Sequence, residues 1–297
     1  MAQFPDEEGA DGSFERQKDE FRDWVETPEA GRFHLYVCKA CPWAHRAWLT
    51  LRLMGLDEAI SVSFVDPIRG DETGWGFREG QGHGIDDVEG FAYLSEAYEA
   101  TDSAFSGRVT VPVLWDKKEK RIVNNSEDDI CEMWVGAFKP LAKHPVDLFP
   151  EDLKFAQSKL SQQVYEDVNN GVYEAGFASS QSAYEVAYRK LFDRLELIEA
   201  RLSEGRLYLF GERIVETDYR LFCSLVRFDA VYFGHFKCNK KQIQDYPYIQ
   251  AYLERIYRLP GVAETVDFDH IKRHYYYTHD DINPTRIVPV GPHLKWV

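Results

Sequence analysis

Phe33-His34-Leu35-Tyr36-Val37-Cys38-Lys39-Ala40-Cys41-Pro42-Trp43-Ala44-His45-Arg46 is the stretch that decides how the rest of the chain is read. Its first five residues alternate in the manner of a short strand. After it, Trp43, Ala47, Leu51 and Met54 recur at helical spacing, so Cys41 falls where a strand turns into a helix. Pro42 suits the first helical position, where a missing N–H costs nothing. Backbone N–H groups and the positive end of the helix dipole stabilise a thiolate at such a place, which lowers a cysteine pKa from its usual ~8.5. The plainer reading is a buried, inert cysteine at a helix start. Pro42 favours the reactive one, because it lets the helix begin beside the sulfur.

Composition narrows the function classes. The chain has 297 residues, enough for one large or two modest domains. Its formal net charge of -15 argues against nucleic acid as a partner, since phosphate binding needs a basic stripe. No run of 18 apolar residues is present, and the first twelve residues are acidic and unlike a signal peptide. The expectation is a cytoplasmic protein that does not engage membranes. The five cysteines (38, 41, 131, 223 and 238) are scattered and odd in number, unlike a disulfide framework, and no second Cys pair completes a zinc site.

Outward from the opening stretch, residues 1–30 read as a polar extension, with Phe4, Phe14, Phe21 and Trp24 set among charges. Residues 61–65 form a second strand and complete a βαβ start. Residues 68–90 are a long Gly- and acid-rich loop carrying Trp75 and Phe77, and a loop of that length is usually functional. A short helix follows over 93–100. Residues 109–115 read as a strand whose inner Pro112 implies an edge, a bulge or a cis bond, and 121–123 pair back as a hairpin. Ser126 reads as an N-cap with acids in the first turn of a helix that ends near Ala137. Residues 139–150 read as a linker. Helix-period apolar positions then run over 153–170, 183–202, 217–232 and 246–258. In the second of these, Tyr184, Ala187, Tyr188, Leu191, Leu195, Ile198 and Leu202 form one face. From Phe268 onward the chain reads as an irregular tail rich in Tyr and Pro. The expected division is an extension (1–30), an α/β domain (31–138), the linker (139–150) and an all-α domain with an aromatic tail (151–297).

A βαβ start with cysteine at its first helix, then a proline-marked strand, a hairpin and a helix, resembles a thioredoxin-like domain. With an all-helical second half, the whole resembles a glutathione transferase. Five stretches make the resemblance more specific: Cys41-Pro42-Trp43-Ala44-His45-Arg46, Gly107 to Asp116, Asn169-Asn170-Gly171-Val172-Tyr173, Gly234-His235-Phe236-Lys237-Cys238-Asn239, and His270-Ile271-Lys272-Arg273-His274-Tyr275-Tyr276 with Ile282-Asn283-Pro284-Thr285. Together they resemble the xi class, the glutathionyl-hydroquinone reductases, from about residue 25 to the end.

That resemblance implies reductive removal of glutathione from an aromatic thioether, with glutathione as co-substrate, glutathionylated quinols as substrates, no metal, and a homodimer. Cys41 would be the nucleophile. Pro112 would be the cis-proline facing it, with Val111 offering N–H and C=O to the peptide part of glutathione. Arg108 would bind a glutathione carboxylate, and Trp75 would stack over the glutathionyl group. Ser126 and Glu127, at a helix start, would hold the γ-glutamyl head. Here the chain departs from the family, which has Glu then Ser at these two places. Tyr173, Tyr275 and Tyr276 would lie beside the quinol ring, as hydrogen-bond donors or as the acid for the departing carbon. His45 reads as a surface or core histidine. Cys38 reads as a strand residue without a role, or else as a partner that traps Cys41 in a disulfide. The rival readings are an omega-like general deglutathionylase and a non-catalytic ligand carrier that kept the fold.

Overall fold

The computed structural model describes residues 7–71 and 73–297. In it β1 (Phe33–Val37) runs parallel to β2 (Ser61–Phe64), with α1 (Pro42–Met54) as the crossover between them. β3 (Val113–Asp116) and β4 (Arg121–Asn124) form an antiparallel hairpin, and β3 lies antiparallel to β1, giving the sheet order β2-β1-β3-β4. This is the thioredoxin-like sheet that the resemblance implied. Every residue of β1 is buried, as befits a central strand covered on both faces. α2 (Ser95–Thr101) follows the long loop, and α3 (Glu127–Val135) packs on α1.

Pro112 does not interrupt a strand. The Val111–Pro112 bond is cis and lies just before β3, so the proline costs the ladder no donor. The expected strand over 109–115 is thus shorter, and its first half is the turn that delivers the cis bond.

The helical half contains α4 (Lys154–Val164), α5 (Gly171–Phe177), α6 (Gln181–Ser203), α7 (Glu216–Arg227), α8 (Pro247–Tyr257) and α9 (Phe268–Thr278). Single wide turns at Tyr165–Asn169 and Phe228–Tyr232 join α4 to α5 and prolong α7. On α6 the expected face is buried at Ala187, Leu191, Leu195, Ile198 and Leu202, and only half-buried at Tyr184 and Tyr188. Burying each larger aliphatic side chain contributes roughly 1.5–3 kcal/mol. α7 is buried along its whole length. Its start is fixed by Asp218, whose carboxylate accepts from the N–H of Val215 and of Leu209, both at 2.9 Å, and from the Tyr252 hydroxyl at 3.0 Å.

The tail is not irregular throughout. α9 occupies its first part because Asp267 caps it, its Oδ1 accepting from the His270 N–H at 3.0 Å and its carbonyl from the Ile271 N–H at 2.9 Å. Ile271 and Tyr275, one turn apart, supply its buried face.

The Cα framework divides into two compact units. Among the described residues, one takes Lys18–Asp147 with Glu264–His274, and the other takes residues 7–17, Leu148–Ala263 and Tyr275–Val297. This differs from a contiguous partition at both ends of the chain. The N-terminal extension is split, and the start of α9 belongs with the α/β unit.

Candidate active site

In the α/β unit, Cys41 is the N-cap of α1, with extended backbone (φ -73, ψ 122) and Pro42 at the first helical position. Its N–H donates to the Cys38 carbonyl at 3.1 Å, and its own carbonyl accepts from the His45 N–H at 2.9 Å. The tight turn thus orients the sulfur. Cys41 is half-exposed, whereas Cys38, Cys131, Cys223 and Cys238 are buried, and none of the five is joined in a disulfide. Burial pushes the Cys238 thiol upward in pKa, as expected of an inert core cysteine. The Cys41 Sγ lies 3.7 Å from the Val111 carbonyl oxygen, so the thiol and the cis-proline segment meet as expected.

That segment is held from behind by a network no motif pointed to. The Tyr98 hydroxyl donates to the Thr110 carbonyl at 2.9 Å and accepts from the Thr110 N–H at 3.1 Å. Asn125 Nδ2 donates to Thr110 Oγ1 at 3.1 Å. Thr110 immediately precedes Val111, so the network fixes the backbone that faces the sulfur. Arg108 is half-buried two residues earlier.

Ser126 is the N-cap of α3 as expected, but its side chain makes no capping bond. Its N–H donates instead to Asn124 Oδ1 at 2.7 Å. Glu127 accepts from Arg46 Nη2 at 2.9 Å, and the same nitrogen reaches Asp128 Oδ1. Arg22 grips Asp129 with two nitrogens, at 2.6 and 2.5 Å. All three acids of the first turn are therefore paired with guanidinium groups. Arg46 sits on α1 one turn beyond Cys41, and only its burial beneath α3 reveals what it does.

Trp75 is buried in the long loop, and its ring stacks on His274 with centroids 5.2 Å apart. His274 Nδ1 is in turn hydrogen-bonded to the Pro67 carbonyl at 2.8 Å, which ties the first part of the loop to α9. His45 is a core histidine, fully buried and bonded through Nε2 to Thr265 Oγ1 at 2.7 Å.

The helical unit holds a second cluster. Tyr173 and Tyr275 share a hydroxyl–hydroxyl bond of 2.5 Å, and Tyr275 bonds in turn to the Tyr232 hydroxyl at 3.1 Å. Phe236 and Phe177 pack against Tyr173 at centroid distances of 5.4 and 6.1 Å. Gly176 makes room for this, because a Cβ there would meet the Phe236 ring at 2.3 Å. Burial drives the phenol pKa of Tyr232 and Tyr275 far up, so both stay neutral. The sequence-based grouping was Tyr173 with Tyr275 and Tyr276, and it missed Tyr232, whose spacing from Phe228 and Phe236 was the available signal. Tyr276 stands outside the trio. Its hydroxyl donates to the Ala230 carbonyl at 3.4 Å, and its ring meets His235 at 4.7 Å.

Comparison with known proteins places these features in context. The family model for the glutathione S-transferase N-terminal domain matches residues 40–135, and that for the C-terminal domain matches residues 181–255. The chain is 44% identical over 290 residues to the glutathionyl-hydroquinone reductase PcpF of Sphingobium chlorophenolicum, covering 97% of this chain and 92% of that one. It is similar to the crystal structure of the Xi glutathione-S-transferase from Phanerochaete chrysosporium (TM-score 0.93, 43% identity, 96% of this chain and 94% of that one). It is also similar to the glutathione-bound structure of YqjG from Escherichia coli K-12 (TM-score 0.90, 43% identity, 93% and 94%).

Proposed function

The chain belongs to the xi class of glutathione transferases, the glutathionyl-hydroquinone reductases, and on that premise we propose that it reduces glutathionyl-hydroquinones to free hydroquinones at the expense of glutathione. The observation that carries the reading is the half-exposed Cys41 at the N-terminus of α1, with its sulfur on the carbonyl that precedes a cis-proline.

The chemistry follows from a soft nucleophile that can attack sulfur, which a thiolate is and a hydroxyl is not. The Cys41 thiolate attacks the glutathionyl sulfur of the thioether. An S–S bond forms, the C–S bond breaks, and its electron pair stays on the ring carbon, which takes up a proton. A second glutathione, as thiolate, attacks the glutathionyl sulfur of the mixed disulfide and frees Cys41. The products are hydroquinone and glutathione disulfide. The proton lost by the second thiol equals the one gained by the ring, and both electrons come from sulfur, so the balance needs no metal or redox cofactor.

The remaining roles are proposals on the same footing. Val111 offers main-chain groups to the peptide of glutathione, Arg108 a fork for its carboxylate, Trp75 a stacking face, and Ser126 a free hydroxyl for the γ-glutamyl head. Glu127 is neutralised by Arg46 and contributes to that head as one half of an ion pair. Tyr173 and Tyr275 face the quinol ring, and Tyr276 has the lesser part. The protein is taken to act in the cytoplasm as a homodimer formed through its helical half. The exposed Phe155, Val186 and Leu197 of that half support the dimer, and light scattering on the purified protein tests it.

The decisive assay offers a synthetic glutathionyl-hydroquinone with glutathione and follows free hydroquinone and glutathione disulfide together. Equal amounts of the two products are expected. Turnover of mixed disulfides alone, with none of the quinol thioether, overturns the reading in favour of a general deglutathionylase.

A further inference from the structure

Residues 7–17 gain their place in the helical unit by a specific latch. The Gly12 carbonyl accepts from the Ser179 N–H at 3.0 Å, and Ser180 Oγ donates to the Asp11 carbonyl at 2.8 Å. Gly12 has φ +82, and a Cβ on it would come within 2.9 Å of the Ser180 backbone, so only glycine fits this contact. Phe14 is buried against Phe177, with ring centroids 5.5 Å apart.

The latch sets down one residue of unexpected chemistry. The Arg16 guanidinium lies 4.8 Å from the Tyr173 ring centroid and 5.1 Å from that of Phe14. Its Nε donates to Asn170 Oδ1 at 2.8 Å, and Asn170 Nδ2 donates to Glu174 Oε1 at 2.9 Å. A cation is thus carried from the N-terminal segment onto the face of a phenol and pinned there from the side.

We propose that Arg16 is a positioning residue for the quinol reaction, which acts through Tyr173 by making it the acidic member of the tyrosine trio. This rests on the reading that Tyr173 meets the quinol. A cation on a ring face is attracted to the ring's electron density, and more strongly when the phenol has become phenolate. All three phenols are buried, and it is over the ring of Tyr173 that the Arg16 guanidinium lies. When the C–S bond breaks, the Tyr173 hydroxyl gives its proton to the ring carbon, and the phenolate left behind is stabilised by Arg16 until it is reprotonated at the expense of the second thiol.

The other titratable groups near the trio act differently. His279 and His235, bonded to each other at 3.1 Å, border Tyr275 and Phe236. Arg227 lies within electrostatic range of Tyr232 and Tyr275, and Glu174 is tied to Lys190 at 2.8 Å. None of these contacts places a second cation over the Tyr173 ring.

The test compares the full-length Arg16→Gln, Arg16→Lys and Tyr173→Phe proteins with a glutathionyl-hydroquinone across pH, and with a ring-free glutathione mixed disulfide at one pH. Arg16→Gln is expected to slow quinol release about ten-fold, the loss that goes with removing a partly buried cation–π contact. It should also move the alkaline limb of the kcat/KM profile upward by about one pH unit, as loss of a neighbouring cation does to a phenol. Arg16→Lys should restore most of both, and the mixed disulfide should be turned over at nearly the wild-type rate. Equal losses on both substrates, an unmoved alkaline limb, or no rescue by lysine would reduce Arg16 to a packing residue and overturn the inference. If Tyr173→Phe slows quinol release while Arg16→Gln changes nothing, the inference fails alone. If Tyr173→Phe changes nothing, the reading beneath it fails as well.

Discussion

Tyr173 and Tyr275 stand 102 positions apart in the chain and share a hydrogen bond of 2.5 Å between their hydroxyls. Tyr275 also bonds to Tyr232, so one fully buried phenol ties together three segments of the helical unit. Tyr275→Phe removes both bonds with no loss of ring packing. It is expected to cost about 1–3 kcal/mol, read as a lowered urea midpoint with unchanged slope.

The tyrosines also divide by role. Tyr173→Phe keeps the ring surface and deletes the hydroxyl proposed to meet the quinol, and quinol release is expected to slow by roughly ten-fold. Tyr276→Phe loses only a 3.4 Å bond to the Ala230 carbonyl and should change the same rate by less than about two-fold. Steady-state release of free hydroquinone checks both. A larger effect at Tyr276 than at Tyr173 would reverse the assignment.

Cys41→Ser is expected to abolish thiol transfer to every substrate, because the serine hydroxyl is neither ionised near neutral pH nor attracted to sulfur. Serine is smaller and favoured as an N-cap, so the fold should persist. Circular dichroism alongside the hydroquinone assay separates the two effects. A wild-type rate would move the nucleophile elsewhere.

Arg46 is almost wholly buried and neutralises Glu127 and Asp128 together. Arg46→Met leaves a buried carboxylate without its cation and is expected to destabilise by about 3 kcal/mol, the lower end for such a break because Asp128 reaches solvent. Adding Glu127→Gln should recover much of that loss. Thermal unfolding of the single and double variants provides the measurement, and additive losses would mean that the pair is not coupled.

Asp218 gives the fold a pH signature. Burial raises its carboxyl pKa from 3.8 to about 6, against the pull of the two N–H donors and the Tyr252 hydroxyl. Since the folded state holds this proton more tightly than the unfolded chain, its contribution is fully present below 3.8 and is lost as pH rises through about 6. Asp218→Asn cannot titrate, so its stability relative to wild type should improve between pH 4 and pH 6.5. Urea midpoints at the two pH values test the sign. Asp218→Ala strands three buried donors and should cost several kcal/mol, about 1–3 for each.

Much of the α/β site was legible because its signals are local. Cys41 and Pro42 are adjacent, and a strand before them with helical spacing after them fixes where the sulfur must sit. A proline among strand formers left an edge, a bulge or a cis bond open at Pro112, and the family resemblance implied the cis bond that is found. What escaped depends on partners distant in sequence. Arg46 and Glu127 are 81 positions apart, and nothing in either neighbourhood announces a pair. Tyr232 keeps a helical spacing with Phe228 and Phe236, but that spacing does not announce that its hydroxyl meets Tyr275, 43 positions further on. α9 was passed over because its many tyrosines mask a helical stripe, although Asp267 was a sound capping signal. The helices over 183–202 and 217–232 were readable because their apolar spacing is strong and needs no partner to be seen.

The latch of residues 7–17 means that no single cut yields two self-sufficient fragments. Residues 7–17 belong to a unit whose next portion begins only at Leu148, so during synthesis they must wait for the whole of Lys18–Asp147 before they can dock. A fragment begun at residue 151 would lack Phe14 and Arg16 and would leave Phe177 and the Tyr173 face uncovered. Trimming by a protease, or a bulky fusion placed just before the latch, would therefore act on an asparagine 154 positions away.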